Sequence, residues 1–282
     1  AVVDSLLTNN ILRVWTDNSN TYGGAIYSSG TAVTLERCIF SGNSSQSCYH
    51  DSQGGALCLN SGSASISGCA FYTNTVVKHE THPTTRGYGG TLYAKGLSYL
   101  NVSDCKIIGG YSIGPAAKGG LVYLEGTSQK AAISRTVLVE SAKVAGLVHS
   151  GSLCLQSGTL ALTNVLRAAT GVTNAVDVYG GTLTAVNVTI ADSPGYGIWM
   201  GGGTATLKHA IIWGNSAGGV GGPSAGSLSA TYSDIQDGVL SGTGNRSADP
   251  LFADNVYFHL YSRSGFYSGF FDGGTWIRTR IA

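Results

Sequence analysis

Residues 54–74 read GGALCLNSGSASISGCAFYTN, and this stretch decides the fold because versions of it recur along the chain. A Gly-Gly pair opens the stretch and a short apolar strand follows it. The four clearest copies, spaced by 31, 35 and 30 residues, begin at Gly23, Gly54, Gly89 and Gly119. Degenerate copies lie at 151–154, 175–179 and 197–200. Self-similarity at such a period is typical of folds built from stacked repeats.

A second strand follows each Gly-Gly opening and aligns from copy to copy. Its copies cover 33–40, 64–71, 100–107, 132–138, 160–166, 183–190, 205–212 and 228–235, and the chain opens in the same register at 3–7. Each unit alternates apolar and polar residues, breaks at Gly, Ser or Asn, and alternates again, which is the pattern of short strands joined by turns. One such unit cannot bury its apolar face alone, so the units must stack. We therefore predict an all-β fold, a right-handed parallel β-helix of about nine coils, over residues 1–256.

The alignment also predicts which side chains face the inside of the stack. One inner wall should hold Ile26, Leu57, Leu92, Val122, Leu153, Val176 and Ile198. A second should hold Cys38, Cys69, Cys105, Thr136, Val165, Val188, Ala210 and Ile235. Cysteine in such a column acts as a small apolar filler. A disulfide between Cys38 and Cys69 stays open as an alternative, because neighbouring coils bring α-carbons within disulfide range.

Composition narrows the classes of function. Charged residues make up 11% of the 282 residues, the net charge is +1, and no Lys/Arg cluster exceeds two or three residues. This excludes the concentrated basic patch that nucleic acid requires. No apolar run reaches the roughly 18 residues of a membrane span, and six cysteines are too few for a disulfide scaffold. Without an initiator Met or a signal peptide, Ala1 is expected to be a processed end or the start of an excised fragment.

Two short motifs alternate in register along the first repeats. Residues 23–26 and 54–57 match GGA[ILV], and residues 40–43 and 71–74 match FxxN. The pair resembles the repeats of polymorphic outer membrane proteins and of related bacterial right-handed β-helix surface proteins. Residues 248–260 resemble the closing coil of such modules. The resemblance implies secretion or surface display with an adhesive or structural role, and it implies no reaction.

The outward positions of the first strand are candidate interaction residues. Alternation places these side chains outside: Tyr27, Cys58, Tyr93, Tyr123, Cys154, Asp177 and Trp199. An exposed aromatic ladder could stack sugar rings or bury against a partner, or it could only stabilise the strands as cross-strand pairs do. Exposed cysteines are unusual on a monomer surface, which favours a face that is covered in the assembled state.

The longest loop, 75–88, holds the one concentration of titratable side chains, among them His79, Glu80, His82 and Arg86. The two histidines could share a metal ion, but the sequence offers no third ligand. We therefore predict a solvated loop, no metal and no cofactor, and expect a loop-bound partner to dock here first. The acidic residues Asp104, Asp177, Asp192, Asp234 and Asp237 are scattered rather than aligned, so we predict no catalytic carboxylate cluster and no enzyme activity.

The segment 257–282 differs in kind from the repeats. Its aromatic residues include Phe266, Tyr267, Phe270, Phe271 and Trp276. The segment could cap the last coil or dock onto another subunit. Nothing like a cap precedes the apolar residues of 2–7, so the first coil is expected to have a bare end.

The leading hypothesis is a non-enzymatic structural protein, a β-helical subunit or module of an extracellular filament or cell-surface adhesin. Its partner would be a second copy, head to tail, or the flanking modules of a longer chain, since a contact that does not close makes a filament. The alternative is a polysaccharide-binding or polysaccharide-cleaving β-helix of the lyase type, with surface polysaccharide as its partner. A ladder of charges with bound Ca²⁺ on one face would favour the alternative.

Overall fold

The computed structural model describes residues 1–14, 19–78, 86–114, 116–140, 149–169, 174–254, 258–260, 266–272 and 275–281. These residues form an all-β chain, and one 3-10 turn, Ala225–Ser227, is the helical element within these ranges. No described helix is long and apolar enough to cross a membrane.

Four open parallel sheets contain most of the strands. Sheet A comprises Val2–Val3, Leu6–Thr8, Ala32–Glu36, Ile39–Ser41, Ser63–Ser67, Ala70–Tyr72, Tyr99–Ser103, Lys106–Ile108, Lys130–Glu140, Thr159–Ala169, Thr182–Ala191, Thr204–Lys208, Ile211–Trp213, Leu228–Thr231 and Asp234–Ile235. Sheet B comprises Ile11–Val14, Ser44–Ser47, Thr75–Lys78 and Tyr111–Ser112. Sheet C comprises Thr21–Tyr22, Ser52–Gln53, Gly87–Tyr88, Ala117–Lys118 and His149–Ser150. Sheet D comprises Ile26–Ser29, Leu57–Asn60, Leu92–Lys95, Val122–Glu125, Leu153–Leu155, Val176–Val178, Tyr196–Met200 and Gly218–Gly221.

Each strand in these sheets pairs with the equivalent strand of the next repeat. In sheet D, Leu57 pairs with Ile26 on one side and with Leu92 on the other. The series continues without a slip through Val122 to Ile198. The first predicted inner wall is therefore confirmed, and its side chains pack with those of sheet A in one apolar core.

The second predicted wall is confirmed except at its last member. Thr136 pairs with Val165 and Val165 with Val188. The next repeat continues the wall with Ser233, whose Oγ accepts a hydrogen bond from the Ala210 backbone N–H at 3.1 Å. Ile235 instead pairs with Ile212 in the adjacent wall, so its predicted position is wrong. Residues two apart on a strand share a face, which is why the sequence pattern fits both assignments.

The cysteines of this wall form no disulfide. All six cysteines of the chain are among the described residues, and none is bonded to another. Cys38, Cys69 and Cys105 are buried, as expected of an apolar filler. The Cys69 Sγ also accepts a hydrogen bond from the Cys38 backbone N–H at 3.4 Å.

The Gly-Gly pairs are required for two different reasons. Gly54 has a φ of +66°, and a Cβ there would lie 1.9 Å from the Leu57 carbonyl oxygen. Gly55 lies against the next repeat, where a Cβ would be 2.0 Å from the Gly90 carbonyl oxygen. The first glycine thus makes the turn, and the second lets neighbouring repeats approach.

The FxxN motif stacks both of its defining residues on those of the next repeat. The rings of Phe40 and Phe71 lie 4.8 Å apart and nearly parallel, at 8°. The Asn74 Oδ1 accepts hydrogen bonds from the backbone N–H and the Nδ2 of Asn43, at 3.0 and 2.9 Å. Both asparagines are fully buried. The motif therefore supplies an aromatic stack beside a buried amide ladder.

The repeats change width near residue 150. Ile66 pairs with Val102, 36 residues later, whereas Ala185 pairs with Leu207, 22 residues later. Sheets B and C end at Ser112 and Ser150, so among the described residues the later repeats contribute strands to sheets A and D alone of these four sheets. We call the repeats within 1–150 the wide repeats and those within 159–235 the narrow repeats.

The C-terminal segment adds a separate antiparallel hairpin. Its strands are Phe266–Asp272 and Thr275–Ile281, and Phe271 pairs with Trp276. Whether residues 257–282 cap the last repeat or dock onto another subunit stays a prediction.

Candidate functional site

The predicted exposed ladder on sheet D is wrong at five of its seven positions. Tyr93 and Tyr123 are only 2% and 3% exposed, and Cys58, Cys154 and Asp177 are fully buried. The ladder is covered by the chain itself, because sheet C lies just before sheet D in each wide repeat and supplies Tyr88 and other side chains that pack on it.

The tyrosines form a compact ring cluster in this position. The rings of Tyr93 and Tyr123 stack at 5.4 Å with an interplanar angle of 3°. Tyr88 lies across both, with ring centroids 6.0 and 4.7 Å away. Burial raises the pKa of the Cys58 thiol to about 12 and also raises the pKa values of Tyr93 and Tyr123. These groups therefore stay neutral at ordinary pH, as suits a packing role.

Tyr27 and Trp199 retain exposure but lie far apart. Tyr27 is 50% exposed and stacks on Tyr22 at 5.1 Å, and the half-buried Trp199 packs beside Tyr196 at 5.4 Å. Six strand steps separate Tyr27 from Trp199 along sheet D, roughly 29 Å at the usual strand spacing. The two aromatics cannot share one small ligand.

The loop candidates fall largely outside the described residues. His79 and His82 lie there, whereas Arg86 is described and exposed. The Arg86 Nη1 donates to the Tyr88 hydroxyl at 3.3 Å, and that contact raises the pKa of the guanidinium. Within the described ranges, no three His, Cys, Asp or Glu side chains are grouped so as to hold a metal ion.

The aromatic residues of the tail lie in the hairpin. The first strand contains Phe266, Tyr267, Phe270 and Phe271, and the second contains Trp276. Their side chains are outside the described part of the structure, so their proposed role in docking stays a prediction.

The acidic residues are dispersed over the molecule. Asp104 is bonded to Arg135, and Asp234 to Arg246. Burial raises the pKa of Asp192, whose carboxylate lies on a turn in the narrow repeats. Asp237 accepts a hydrogen bond from the Gly219 backbone N–H at 3.0 Å.

Sequence reasoning missed a column of surface turns beside sheet A. One residue in each repeat adopts a left-handed conformation there, with φ between 46° and 60°. The column consists of Asp4, Arg37, Gly68, Asp104, Arg135, Asn164, Asn187, His209 and Tyr232. We call it the turn column. The detectable signal was position, since each member from Arg37 to His209 immediately precedes a predicted residue of the second inner wall.

Neighbours in the turn column contact one another. Arg37 binds Asp4 through two hydrogen bonds of 2.7 and 2.9 Å, and Arg135 binds Asp104 through two of 2.6 and 2.7 Å. Each arginine lowers the pKa of its aspartate. In the narrow repeats an uncharged pair takes the place of the ion pairs: the Asn187 Nδ2 donates a hydrogen bond to the Asn164 Oδ1 at 3.1 Å.

The last two members of the column border a groove. His209 and Tyr232 stack with ring centroids 5.5 Å apart and an interplanar angle of 25°. The groove has a volume of about 240 Å³, and its lining is completed by Ala210, Ile211, Ser233, Asp234, Gly244 and Arg246. An exposed ring beside a charged pair is an arrangement that can hold a small polar molecule.

The first repeat presents a second distinctive surface. Each of its strands, from Val2–Val3 to Ile26–Ser29, forms the end of its sheet and pairs on one side only among the described strands. Val3, Leu6 and Ile11 are 40%, 67% and 54% exposed at this edge. Unpaired backbone beside exposed apolar side chains is a template for a further strand.

Comparisons with known proteins found no match. No protein-family model, no curated protein and no solved structure matches the chain. The resemblance to polymorphic outer membrane protein repeats therefore stays a prediction from the GGA[ILV] and FxxN motifs.

Proposed function

We propose that the chain is a right-handed parallel β-helix that serves as a non-enzymatic structural module of an extracellular filament or cell-surface adhesin. Pairing of the strands of sheets A to D with their counterparts one repeat away supports the helical path. The low share of charged residues and the repeated motifs support a structural role, in which the stacked repeats themselves are what the protein provides.

One observation carries the proposal: the edge of the first repeat is open and apolar. Leu6 and Ile11 expose more than half of their surface beside unpaired strand edges. Natural proteins cover such edges, because bare ones pair with other chains. A further coil, from a second copy or from a flanking module of the same chain, would continue the four sheets. It would bury Ile11, whose equivalent Ser44 is 5% exposed, and cover part of Leu6, whose equivalent Ile39 is 42% exposed.

The test compares assembly of the protein with that of an edge variant. We expect the protein to form elongated assemblies, seen by electron microscopy and analytical ultracentrifugation. The double variant Leu6→Lys/Ile11→Lys should stay monomeric with an unchanged far-ultraviolet circular dichroism spectrum, because two charges cannot be buried at the contact. Tyr99→Lys is the matched control, since Tyr99 is 50% exposed on the side of sheet A, away from the edge.

Two results would contradict end-to-end assembly. The first is a protein that stays monomeric at high concentration. The second is assembly that the edge variant retains in full.

A further inference from the structure

Some polar groups in the groove at the end of the turn column already have hydrogen-bond partners within the chain, and others can bind a ligand. Asp234 is 4% exposed, and its Oδ2 accepts from the Arg246 Nε at 2.6 Å. Its Oδ1 accepts from the Ala248 backbone N–H at 3.0 Å. Both carboxylate oxygens are therefore occupied, and the aspartate is neutralised where it stands.

Arg246 presents the rest of its guanidinium to solvent. Its side chain is 61% exposed, and its two terminal nitrogens bond to no described residue. Held by Asp234 through Nε, the guanidinium has a fixed plane and two parallel N–H donors. That is the geometry that binds a carboxylate through two hydrogen bonds.

Tyr232 is held in an unusual conformation at the groove. Its φ is 51°, a region that bulky residues rarely adopt, whereas Asn164 and Asn187 in the same column are of a type that tolerates it. The side chain is 54% exposed, with one side of the ring against His209. Since every member of the turn column shares this conformation, the turn of the repeat sets it and fixes the Tyr232 backbone beside the groove.

The contact with Gly244 shows that the chain makes room for this ring. A Cβ at Gly244 would lie 2.4 Å from the Tyr232 Cδ1. Gly244 occupies the equivalent turn of the next segment and has a φ of +70°. A side chain there would displace the ring from the groove.

The charged side chains at the groove leave a place for an anion. Arg246 and Asp234 line it as a bonded pair, and the exposed Lys208, on the strand that pairs with Thr231, adds a positive charge nearby. Because the pair leaves the two terminal nitrogens of Arg246 as donors, an anion can bind there without displacing Asp234.

We propose that this groove binds one sugar unit of an acidic, uronate-containing polysaccharide. The apolar face of the sugar ring packs on Tyr232, and its carboxylate accepts two hydrogen bonds from the terminal nitrogens of Arg246. A volume of about 240 Å³ suits a single ring, with the rest of the polymer extending over the surface. This binding role goes beyond the structural function and does not depend on end-to-end assembly.

The test measures binding of polygalacturonate and of neutral dextran by isothermal titration calorimetry. We expect the protein to bind polygalacturonate, to bind it more weakly as salt rises, and to bind dextran at least tenfold more weakly. Tyr232→Asn should raise the Kd for polygalacturonate at least tenfold while preserving the turn, since Asn occupies the same position at Asn187. Asp234→Asn/Arg246→Gln replaces the ion pair with an amide pair and should remove the preference for the acidic polymer.

Arg135→Gln is the matched control for these variants. Arg135 is an exposed arginine bonded to an aspartate in the same turn column, several repeats from the groove, so its loss should leave the Kd unchanged. The proposal is overturned by equal binding of dextran, by an unchanged Kd in Tyr232→Asn, or by no binding of polygalacturonate at millimolar sugar concentration. Binding retained in a protein that does not assemble would separate this proposal from the structural one.

Discussion

The wide and narrow repeats share sheets A and D but differ in what lies between them. In the wide repeats an arm made of sheets B and C lies between sheets A and D along the chain, and its residues Tyr22 and Tyr88 pack on the outer face of sheet D. Within the arm, Thr21 accepts a hydrogen bond from Ser45 and donates one to Ser52, at 2.8 and 2.9 Å, and all three side chains are buried. The described part of the narrow repeats adds no strand to sheets B and C, and Trp199 on the same face of sheet D stays half exposed. Burial of Tyr93 and Tyr123 therefore depends on the side chains that the arm packs on them.

The largest expected effect tests the burial of the tyrosine cluster. Tyr123→Ala should lower the free energy of unfolding by about 3 to 5 kcal/mol, because it opens a cavity beneath the arm of a wide repeat. Trp199→Ala, at the equivalent position of a narrow repeat, should cost about 1 to 2 kcal/mol, since its surroundings are partly solvent. Chemical denaturation measures both. Equal losses would show that the arm contributes nothing to the packing of sheet D.

A smaller difference is expected between two buried asparagines. Asn74→Ala should cost about 2 to 3 kcal/mol, because it removes two bonds from Asn43 and one to the Phe40 carbonyl and leaves the Asn43 N–H without an acceptor. Asn215→Ala should cost about 1 to 2 kcal/mol, since Asn215 makes weaker contacts to Ser193 and Ile190, at 3.1 and 3.3 Å. Denaturation midpoints compare the two. Asn101 is half exposed on sheet A, so Asn101→Ala is the control that removes a side-chain amide from a position that is not buried.

The smallest expected effect concerns pH. Arg135 lowers the pKa of Asp104 in the folded protein, so this pair stabilises the fold above the ordinary aspartate pKa of 3.8, and the contribution is lost as the pH falls below it. Arg135→Gln should raise the pKa of Asp104, as followed by NMR titration of its carboxyl carbon. The Asn164–Asn187 pair of the narrow repeats has no charge to titrate, so Asn187→Gln should leave the acid limb of the stability curve unchanged. A pKa of Asp104 that does not move in Arg135→Gln would contradict the ion pair.

The sequence predicted the strand repeats and the first inner wall because period-two alternation and Gly-Gly spacing are local signals. It placed Ile235 in the wrong wall, since residues two apart face the same way. It also placed Tyr93 and Tyr123 outside, because alternation tells which face of a sheet a side chain is on and not what covers that face. The groove at Tyr232 escaped detection because Arg246 and Asp234 meet through a segment that returns after the last repeat.

The change in repeat width also has a consequence for how the chain finds its structure. Closing a loop of 22 residues costs about 0.4 kcal/mol less entropy than closing one of 36 residues. The narrow repeats also bury Leu183, Ala185 and Val188 on one continuous strand. Folding should therefore start in the C-terminal half and spread toward the wide repeats, and pulse-labelled hydrogen exchange would detect protection first in Thr182–Ala191. In a chain made from its N-terminus, the half that nucleates most readily would be the last to emerge.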